Sequence, residues 1–345
     1  LARDPLGIKP LYLYTENRDV FFASEVTALT SFGVVPEICR TDLVEFLNFG
    51  FVHEPRTGFS NVSKVAPGQC LIWENGVYRE DIIGDYVGPP TIPQDPHDLI
   101  LHAIQGQKKA DVAVGILFSG GVDSTAVAAA LKSRGLYINA LQDREKNVEL
   151  IRARKLAKDL GIALDVLDLI ESVTVDQFRN DVNTIVAKIE EPISDYTFVA
   201  SQQIARLARQ SGFVVMLSGM GGDEFFVGYP RYSLLNRLWL YRWVSLVAWL
   251  GLKLPGLRSI LRQSKKIERL ISYFGEKNFV WAYARVVGYF TTAEINELLE
   301  ADQDLQVRNT QILSRLTKIS DQASSPSPLD RALALDQKGF LAHNL

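Results

Sequence analysis

The sequence has little of several features that would place a protein in a well-known class. Two cysteines, Cys39 and Cys70, are too few for a disulfide framework and are typical of a reducing compartment, so we predict a cytoplasmic location. The four histidines include no H-x-x-x-H pair, which argues against a zinc site. The 37 basic and 40 acidic residues give a net charge of −3, so nothing indicates a protein that binds nucleic acid or a membrane surface through a polybasic region.

Long uninterrupted hydrophobic runs are also missing. Residues 234–254 are strongly apolar, but Arg237 and Arg242 interrupt them, and their longest uncharged run is 243–252. A helix that crosses a bilayer needs about 20 apolar residues. We therefore predict no transmembrane segment here, and a buried or interface helix in preference to one that lies on a membrane.

The common nucleotide-binding loop G-x-x-x-x-G-K-[ST] is absent, and another glycine turn takes its place. The apolar run 112–118 has the length of a strand, 119–124 read S-G-G-V-D-S, and 125–131 are rich in alanine and valine. Adjacent glycines allow close approach of a ligand to the backbone, and a helix N-terminus favours anions. The turn therefore suits phosphate or pyrophosphate, with Asp123 as a magnesium ligand. The alternative is an ordinary strand–helix turn in which Asp123 is the N-cap.

From residue 98 onward the pattern alternates between buried strands and amphipathic helices. We predict helices from Asp123 and over 147–160 and 198–208. The predicted strands are 112–118, 136–141, 162–169 and 213–217. This alternation predicts a doubly wound parallel sheet that binds ligands at the carboxyl ends of its strands.

A second glycine-rich loop follows the strand predicted to end at Leu217. Residues 218–224 read S-G-M-G-G-D-E, and this loop would bring Asp223 opposite Asp123. Two carboxylates from neighbouring strand ends can hold Mg²⁺ while phosphate oxygens complete its coordination. The alternative is that Asp223 and Glu224 cap the next helix.

The N-terminal part has a different character. It reads as short strands and turns, with hairpins predicted over 11–23 and 68–79 and short helices over 25–32 and 42–49. A proline- and glycine-rich stretch follows. We predict a domain over 1–87, a linker over 88–97 and a second domain over 98–345.

Both parts of the chain resemble known enzymes. The S-G-G-V-D-S turn resembles the pyrophosphate loop of ATP pyrophosphatases, which include asparagine, GMP, NAD and argininosuccinate synthetases. R-D-P-L-G-I-K-P at 3–10, F-A-S-E at 22–25 and V-A-P-G at 65–68 resemble the second half of a class II glutamine amidotransferase domain. This order of pieces, with S-G-M-G-G-D-E and the following G-Y-P-R-Y, resembles the glutamine-hydrolysing asparagine synthetase family.

The resemblance implies part of an N-terminal-nucleophile amidotransferase domain followed by an α/β ATP-pyrophosphatase domain with extra C-terminal helices. The implied substrates are glutamine, ATP and a carboxylate acceptor, aspartate in that family, with Mg²⁺ as the metal. The oligomeric state stays open, a homodimer included.

The resemblance also implies site residues. Those that match the ATP site are Phe118, Ser119, Gly120, Gly121, Asp123, Ser124, Ser218 and Gly219. The matching metal ligands are Asp123 and Asp223. The substrate-pocket candidates are Glu191 and Asp195 of an E-P-x-x-D element, Met220 and Glu224.

The sequence departs from the family in specific ways. The nucleophilic cysteine of the glutaminase would lie before Leu1 and the lysine used for adenylation after Leu345, so we expect a chain cut at both ends and no glutaminase activity from residues 1–345 alone. Asparagine synthetases usually carry glutamate where this loop has Met220, and the segment 142–147 looks shorter than their adenine-side loop.

These departures leave alternatives open. One is a related enzyme that amidates another carboxylate, such as a sugar acid or a peptide. Another is a catalytically silent nucleotide-binding protein, against which the intact Asp123 and Asp223 argue.

Overall fold

The computed structural model of the chain describes residues 1–17, 19–74, 77–82, 95–139, 146–168, 174–194, 197–240, 272–300 and 302–342. It divides into two compact units. One consists of residues 1–88, 190–194 and 223–345, and the other of residues 89–189 and 195–222. The units therefore do not follow the chain as two consecutive segments. Most of the linker predicted over 88–97, up to residue 94, lies outside the described residues.

A four-stranded parallel sheet forms the centre of the second unit. Its strands are β6 (Val114–Leu117), β7 (Gly135–Asn139), β8 (Leu164–Asp168) and β9 (Val215–Leu217), in the spatial order β8-β7-β6-β9. The order in which strands are added reverses at β6, since β7 lies on one side of β6 and β9 on the other. This is the doubly wound arrangement that the alternating pattern predicts, with somewhat shorter strands.

Among the described residues, one helix precedes the first strand of this sheet and four lie between its strands. They are α3 (Pro96–Gln107), α4 (Val122–Leu131), α5 (Val148–Leu160), α6 (Val175–Val186) and α7 (Phe198–Gln210). The core lies between the sheet and helices α4 and α5, where Ile116, Phe118, Ala128, Leu150 and Ala153 are buried together. This packing holds the end of β6 firmly against two helices.

The first unit begins with antiparallel strands, as the turn residues indicate. A three-stranded sheet has the order β2-β1-β3, and a separate hairpin consists of β4 and β5. The bounds are β1 (Tyr12–Glu16), β2 (Asp19–Ala23), β3 (Ser63–Lys64), β4 (Gln69–Glu74) and β5 (Val77–Ile82). Asn75 and Gly76, the predicted turn of the second hairpin, lie outside the described residues.

The rest of this unit is helical. Two helices lie in the N-terminal part, α1 (Val26–Thr30) and α2 (Arg40–Phe49). The others are α8 (Gly222–Phe226), which begins at the boundary between the units, α9 (Pro230–Leu240), α10 (Phe279–Val287), α11 (Thr292–Leu298), α12 (Leu305–Asp321) and α13 (Pro328–Asp336), which continues into a π-helical turn over Gln337–Leu341.

One hydrophobic core joins the two ends of the chain in this unit. Val44, Phe49 and Phe51 from the N-terminal part are buried with Tyr283 and Leu316 from the C-terminal helices. Residues 1–82 and the C-terminal helices therefore fold as one body.

Most of the apolar, tryptophan-containing stretch 234–254 falls outside the described residues, which stop at Leu240 and resume at residue 272. In the described parts of the chain, none of the helices has the length and apolarity that a membrane crossing requires.

Candidate functional site

The first glycine loop leaves the carboxyl end of β6 in a fixed conformation. The Phe118 amide donates to the Leu136 carbonyl at 2.9 Å, and the Phe118 side chain is 1% exposed. Gly120 then has a φ of +72°, where a Cβ would lie 2.9 Å from the backbone of Ala153. Glycine is therefore required at this position both by backbone conformation and by the close approach of α5.

Serine hydroxyls and the start of a helix meet in this turn. Ser119 Oγ lies 3.1 Å from Ser124 Oγ and accepts from the Gly121 amide at 3.3 Å. The N-cap of α4 is Gly121, which makes no side-chain cap, and Asp123 lies in the first turn of the helix. The alternative in which Asp123 caps the helix is therefore wrong. The positive end of the helix dipole points at a turn that carries two hydroxyl groups.

The second glycine loop packs directly against Asp123. Strands β6 and β9 are parallel neighbours, with Ile116 opposite Leu217, so both loops leave the sheet at the same edge. A Cβ on Gly219 would lie 2.7 Å from the Asp123 Cβ. A Cβ on Gly222 would lie 2.6 and 2.8 Å from the two carboxylate oxygens of Asp123. The second loop thus needs glycine at both positions, at Gly219 to accommodate the start of α4 and at Gly222 to accommodate the Asp123 carboxylate.

The remaining residues of the second loop are held by local hydrogen bonds. The Met220 amide donates to Ser218 Oγ at 3.3 Å, and the Gly222 amide donates to the Gly219 carbonyl at 3.2 Å. Gly221 has a φ of +94°. The Met220 side chain is 54% exposed and is a thioether at the place where the resembled family carries a carboxylate. All eight residues predicted for ATP binding belong to the second unit and come from these two loops.

Asp223 and Glu224 follow in sequence and belong to the first unit. Both lie in the first turn of α8. Gly228 packs so closely on Asp223 that a Cβ there would overlap the Asp223 carboxylate. The pairing of Asp223 with Asp123 across a magnesium ion remains a prediction from the sequence.

Glu224 is 2% exposed and has a defined partner. Its carboxylate accepts from the Tyr229 hydroxyl at 2.8 Å, and its carbonyl accepts from Gln337 Nε2 at 3.1 Å. Burial raises the pKa of Glu224, and the hydrogen bond from Tyr229 opposes this shift. Glu224 is therefore a buried group held between Tyr229, which precedes α9, and the π-helical turn, and the sequence did not indicate this burial.

The G-Y-P-R-Y run fixes α9 to α13. Arg231 Nη2 lies 2.8 Å from the Asp336 carboxylate, which also accepts from the Tyr232 hydroxyl at 2.6 Å. The Arg231 guanidinium lies over the Tyr229 ring at 3.9 Å from its centroid. The role of Asp336 was not predicted from the sequence. Arg231 lies between Tyr229 and Tyr232, and this pattern could have indicated that a buried carboxylate pairs with the arginine.

Of the two substrate-pocket candidates in the E-P-x-x-D element, the structure describes only one. Glu191 is buried, with its carboxylate 2.5 Å from Lys64 Nζ and 2.5 Å from the Tyr12 hydroxyl. The structure therefore gives Glu191 partners in the N-terminal part, and its contact with a substrate remains a prediction. Asp195 lies outside the described residues.

The chemistry of the loops fits a magnesium–pyrophosphate group. The hydroxyls of Ser119 and Ser124 and the start of α4 are suited to phosphate oxygens, and carboxylates are preferred ligands of Mg²⁺. Gly222 leaves a space beside the Asp123 carboxylate that a Cβ would fill, and Gly219 does the same beside the Asp123 Cβ.

Comparison with protein families gives two matches. Residues 97–345 match the family described as asparagine synthase, and residues 1–82 match the glutamine amidotransferase domain. These matches cover both segments on which the sequence resemblance rests.

Curated proteins with similar sequences carry different names. The chain is 29% identical over 243 residues to a glutamine-hydrolyzing asparagine synthetase of Bacillus subtilis, covering 67% of this chain and 37% of that protein. It is 32% identical over 250 residues to a putative asparagine synthetase of Mycobacterium tuberculosis, with the same coverage of 67% and 37%. It is 28% identical over 261 residues to the amidase chyE of Penicillium rubens, covering 67% of this chain and 38% of that protein. The chain thus spans little more than a third of the length of these relatives.

Proposed function

Because the chain belongs to the asparagine synthase family, we propose that it is part of an ATP-dependent amide synthetase that takes its nitrogen from glutamine. The reaction converts a carboxylate, ATP, glutamine and water into an amide, glutamate, AMP and pyrophosphate. The family matches over 1–82 and 97–345 support the combination of a glutamine amidotransferase with a synthetase in one protein.

The first step would activate the acceptor. A carboxylate oxygen attacks the α-phosphorus of ATP, the bond between the α-phosphorus and the bridging oxygen breaks, and pyrophosphate leaves. The start of α4 and the hydroxyls of Ser119 and Ser124 would stabilise the negative charge of pyrophosphate. Mg²⁺ held by Asp123 and Asp223 would neutralise part of the same charge.

The second step would form the amide. Ammonia attacks the carbonyl carbon of the acyl-adenylate, the bond from carbon to the AMP oxygen breaks, and AMP leaves while the nitrogen loses a proton. Hydrolysis of glutamine in the amidotransferase domain would supply the ammonia.

One observation carries this proposal: Asp123 lies against Gly219 and Gly222 at the edge where β6 and β9 end, with its carboxylate against Gly222. A second loop whose glycines leave room for Asp123, beside a helix start that no side chain caps, is suited to a metal-bound polyphosphate. An ordinary strand–helix turn requires neither of these glycines.

Aspartate is the first acceptor that we propose, since relatives named asparagine synthetase match the synthetase region. A second acceptor class, another carboxylate such as a sugar acid or a peptide, is favoured by Met220. Its exposed thioether can neither accept a proton nor orient ammonia as a carboxylate can. The similarity to a protein named as an amidase is consistent with this second class.

Pyrophosphate release tests the proposal. The protein, with any sequence that flanks residues 1–345 in its gene, is assayed with ATP, Mg²⁺, ammonium or glutamine, and either aspartate or a panel of other carboxylic acids. We expect release that depends on one acceptor. Aspartate dependence would establish asparagine synthesis, and dependence on another acid alone would establish the second class.

A matched pair of variants makes the assay specific. Asp123→Asn should abolish release, whereas Asp176→Asn should retain it, because Asp176 occupies the same first-turn position of α6 but is exposed. Absence of release with every acid, or equal release by the Asp123→Asn variant, would refute the proposal.

A further inference from the structure

Residues 190–194 have an unusual place in the fold. They belong to the first unit, while the residues on both sides of them in sequence belong to the second. They lie within the part of the chain that matches the asparagine synthase family, and they lead directly to Asp195, a substrate-pocket candidate. Their contacts, however, are with residues 1–82, which match the amidotransferase domain.

Glu190 caps a helix of the amidotransferase-like part. Its carboxylate accepts from the Thr27 amide at 3.0 Å and also from the Val26 amide. These are the first amides of α1, whose own N-cap residue, Glu25, makes no side-chain cap. The carboxylate therefore satisfies amide groups that a helix start otherwise leaves without partners.

Glu191 enters a buried network of charges. Lys64 Nζ lies 2.5 Å from Glu191 and 3.0 Å from Glu54, and Arg3 Nη1 lies 2.7 Å from Glu54. Two carboxylates and two cations are thus buried together, and the Tyr12 hydroxyl completes the set with its hydrogen bond to Glu191. Burial raises the pKa of Tyr12, and the adjacent Glu191 raises it further.

The backbone of this segment is also fixed at close range. The Ser194 amide donates to the Gly50 carbonyl at 2.8 Å. A Cβ on Gly50 would overlap Ser194 Oγ, and a Cβ on Gly58 would lie 2.8 Å from the Pro192 ring. Both glycines have positive φ values, +87° and +91°, so neither position readily accepts another residue.

A network of this kind is better suited to setting a position than to adding stability. Burial of charges carries a desolvation cost that the attraction between them often only balances, and apolar side chains of similar size would hold the segment as firmly. A buried ion pair, in contrast, accepts only one arrangement of its partners. Glu191 pairs with residues that lie 127 and 179 positions earlier in the sequence, Lys64 and Tyr12.

We propose that Glu191 is a positioning residue that fixes the segment leading to the substrate pocket onto the amidotransferase-like part, so that ammonia released by glutamine hydrolysis is used for amide synthesis. This inference rests on the proposed function. It adds that loss of Glu191 uncouples the two reactions, so that glutamine is hydrolysed without a matching amount of amide synthesis.

The test compares two products in one reaction. The protein with its flanking sequence is prepared with Glu191→Gln, and glutamate and pyrophosphate are measured together with glutamine as the nitrogen source. We expect the ratio of glutamate to pyrophosphate to rise roughly fivefold, the lower end of the coupling that distinct sites commonly show. Pyrophosphate release with ammonium separates the two roles given to Glu191: a loss confined to the glutamine reaction supports the positioning role, and an equal loss with ammonium would assign Glu191 to the substrate pocket and overturn the inference.

The control is Glu54→Gln. Glu54 is equally buried and bound to the same Lys64, but its partners in the network all lie within residues 1–82. This variant should lower stability without changing the ratio of glutamate to pyrophosphate. A merely structural role for Glu191 predicts that both variants leave the ratio at the parental value.

A second variant, Glu190→Gln, keeps the test possible if the Glu191→Gln protein does not fold. Glu190→Gln weakens the cap on α1 at a half-buried position and should raise the same ratio to a smaller extent. A parental ratio in the folded Glu191→Gln protein, or in Glu190→Gln if the former does not fold, would overturn the inference. A parent that releases no pyrophosphate with ammonium would instead overturn the proposed function.

Discussion

Asp123 lies in a space that its neighbouring glycines define, so the smallest addition to one of them should disturb it. In Gly222→Ala, the new Cβ would be within 2.8 Å of both carboxylate oxygens of Asp123. The carboxylate or the loop must then move. A displacement of about 1 Å in a catalytic constellation can cost about 100-fold in rate, and we expect a loss of this order in pyrophosphate release.

The matched control for that variant is Gly106→Ala. Gly106 lies within α3, and a Cβ there would meet nothing within 4 Å. Alanine should preserve activity and raise the free energy of unfolding by up to about 1 kcal/mol, because alanine has the higher helix propensity. Equal activity of both variants and the parent would contradict the role given to the Asp123 carboxylate.

The sequence predicts the site residues that belong to a short motif. It does not predict residues whose role depends on partners far away in the sequence. The two glycine motifs predict loops at one edge of the sheet, and Asp123 of the first loop lies beside Gly219 and Gly222 of the second. The position of Asp223 opposite Asp123 stays a prediction. The hydrogen bond between Tyr229 and Glu224 spans only five residues but depends on burial by the C-terminal helices. No local pattern indicated that burial.

Helices α2 and α12 are joined by one buried carboxylate. Glu45 lies 2.8 Å from His53 Nδ1, accepts from the His53 amide at 2.7 Å, and is paired with Arg315. In Glu45→Gln, the side-chain amide nitrogen of the glutamine would face the donors of His53 and Arg315 that now surround the carboxylate. Removing one partner of a buried ion pair commonly costs about 3 kcal/mol, and we expect a loss of that size in the free energy of unfolding near neutral pH.

The pH dependence of this loss follows from the pKa of Glu45. Burial raises the pKa, but Arg315 and His53 lower it more, so it lies below the ordinary value of 4.5. A depressed carboxylate pKa stabilises the fold above the ordinary pKa, and that stabilisation disappears as the pH falls through the folded-state value. The difference between parent and Glu45→Gln should therefore shrink on acidification below pH 4.5.

Denaturant unfolding at several pH values measures this difference. The control is Asp321→Asn, because the Asp321–Arg331 pair is largely exposed and should contribute less than about 1 kcal/mol at any pH. If the loss in Glu45→Gln is constant from pH 7 to pH 3, the account of its pKa is wrong.

Helices and strands can be predicted from the sequence where the apolar pattern is long and bounded by turn residues. The four strands of the parallel sheet and helices α4, α5 and α7 were all predicted, with ends that differ by a few residues. Helix α6 was missed, although Thr174 and Gln177 form a capping box at its start. That T-x-x-Q spacing was the signal available in the sequence.

Contacts between distant parts of the chain cannot be predicted from sequence patterns. Residues 1–82 share a core with the C-terminal helices, through contacts such as Glu45–Arg315 that join positions 270 residues apart. The domains over 1–87 and 98–345 stay a prediction from the sequence, and the compact units of the structure alternate along the chain. Periodicity reports which face of an element is apolar, and carries no information on which distant element will cover it.

Attack of the acceptor carboxylate on the α-phosphorus of ATP can be followed through the fate of a carboxylate oxygen. The acceptor identified by pyrophosphate release is labelled with ¹⁸O in its carboxylate, and the phosphate-containing products are analysed by mass spectrometry after turnover with ATP and ammonium. Because the C–O bond breaks when AMP leaves, we predict one ¹⁸O atom in AMP and none in pyrophosphate. Label in inorganic phosphate, with ADP as the other product, would contradict the account.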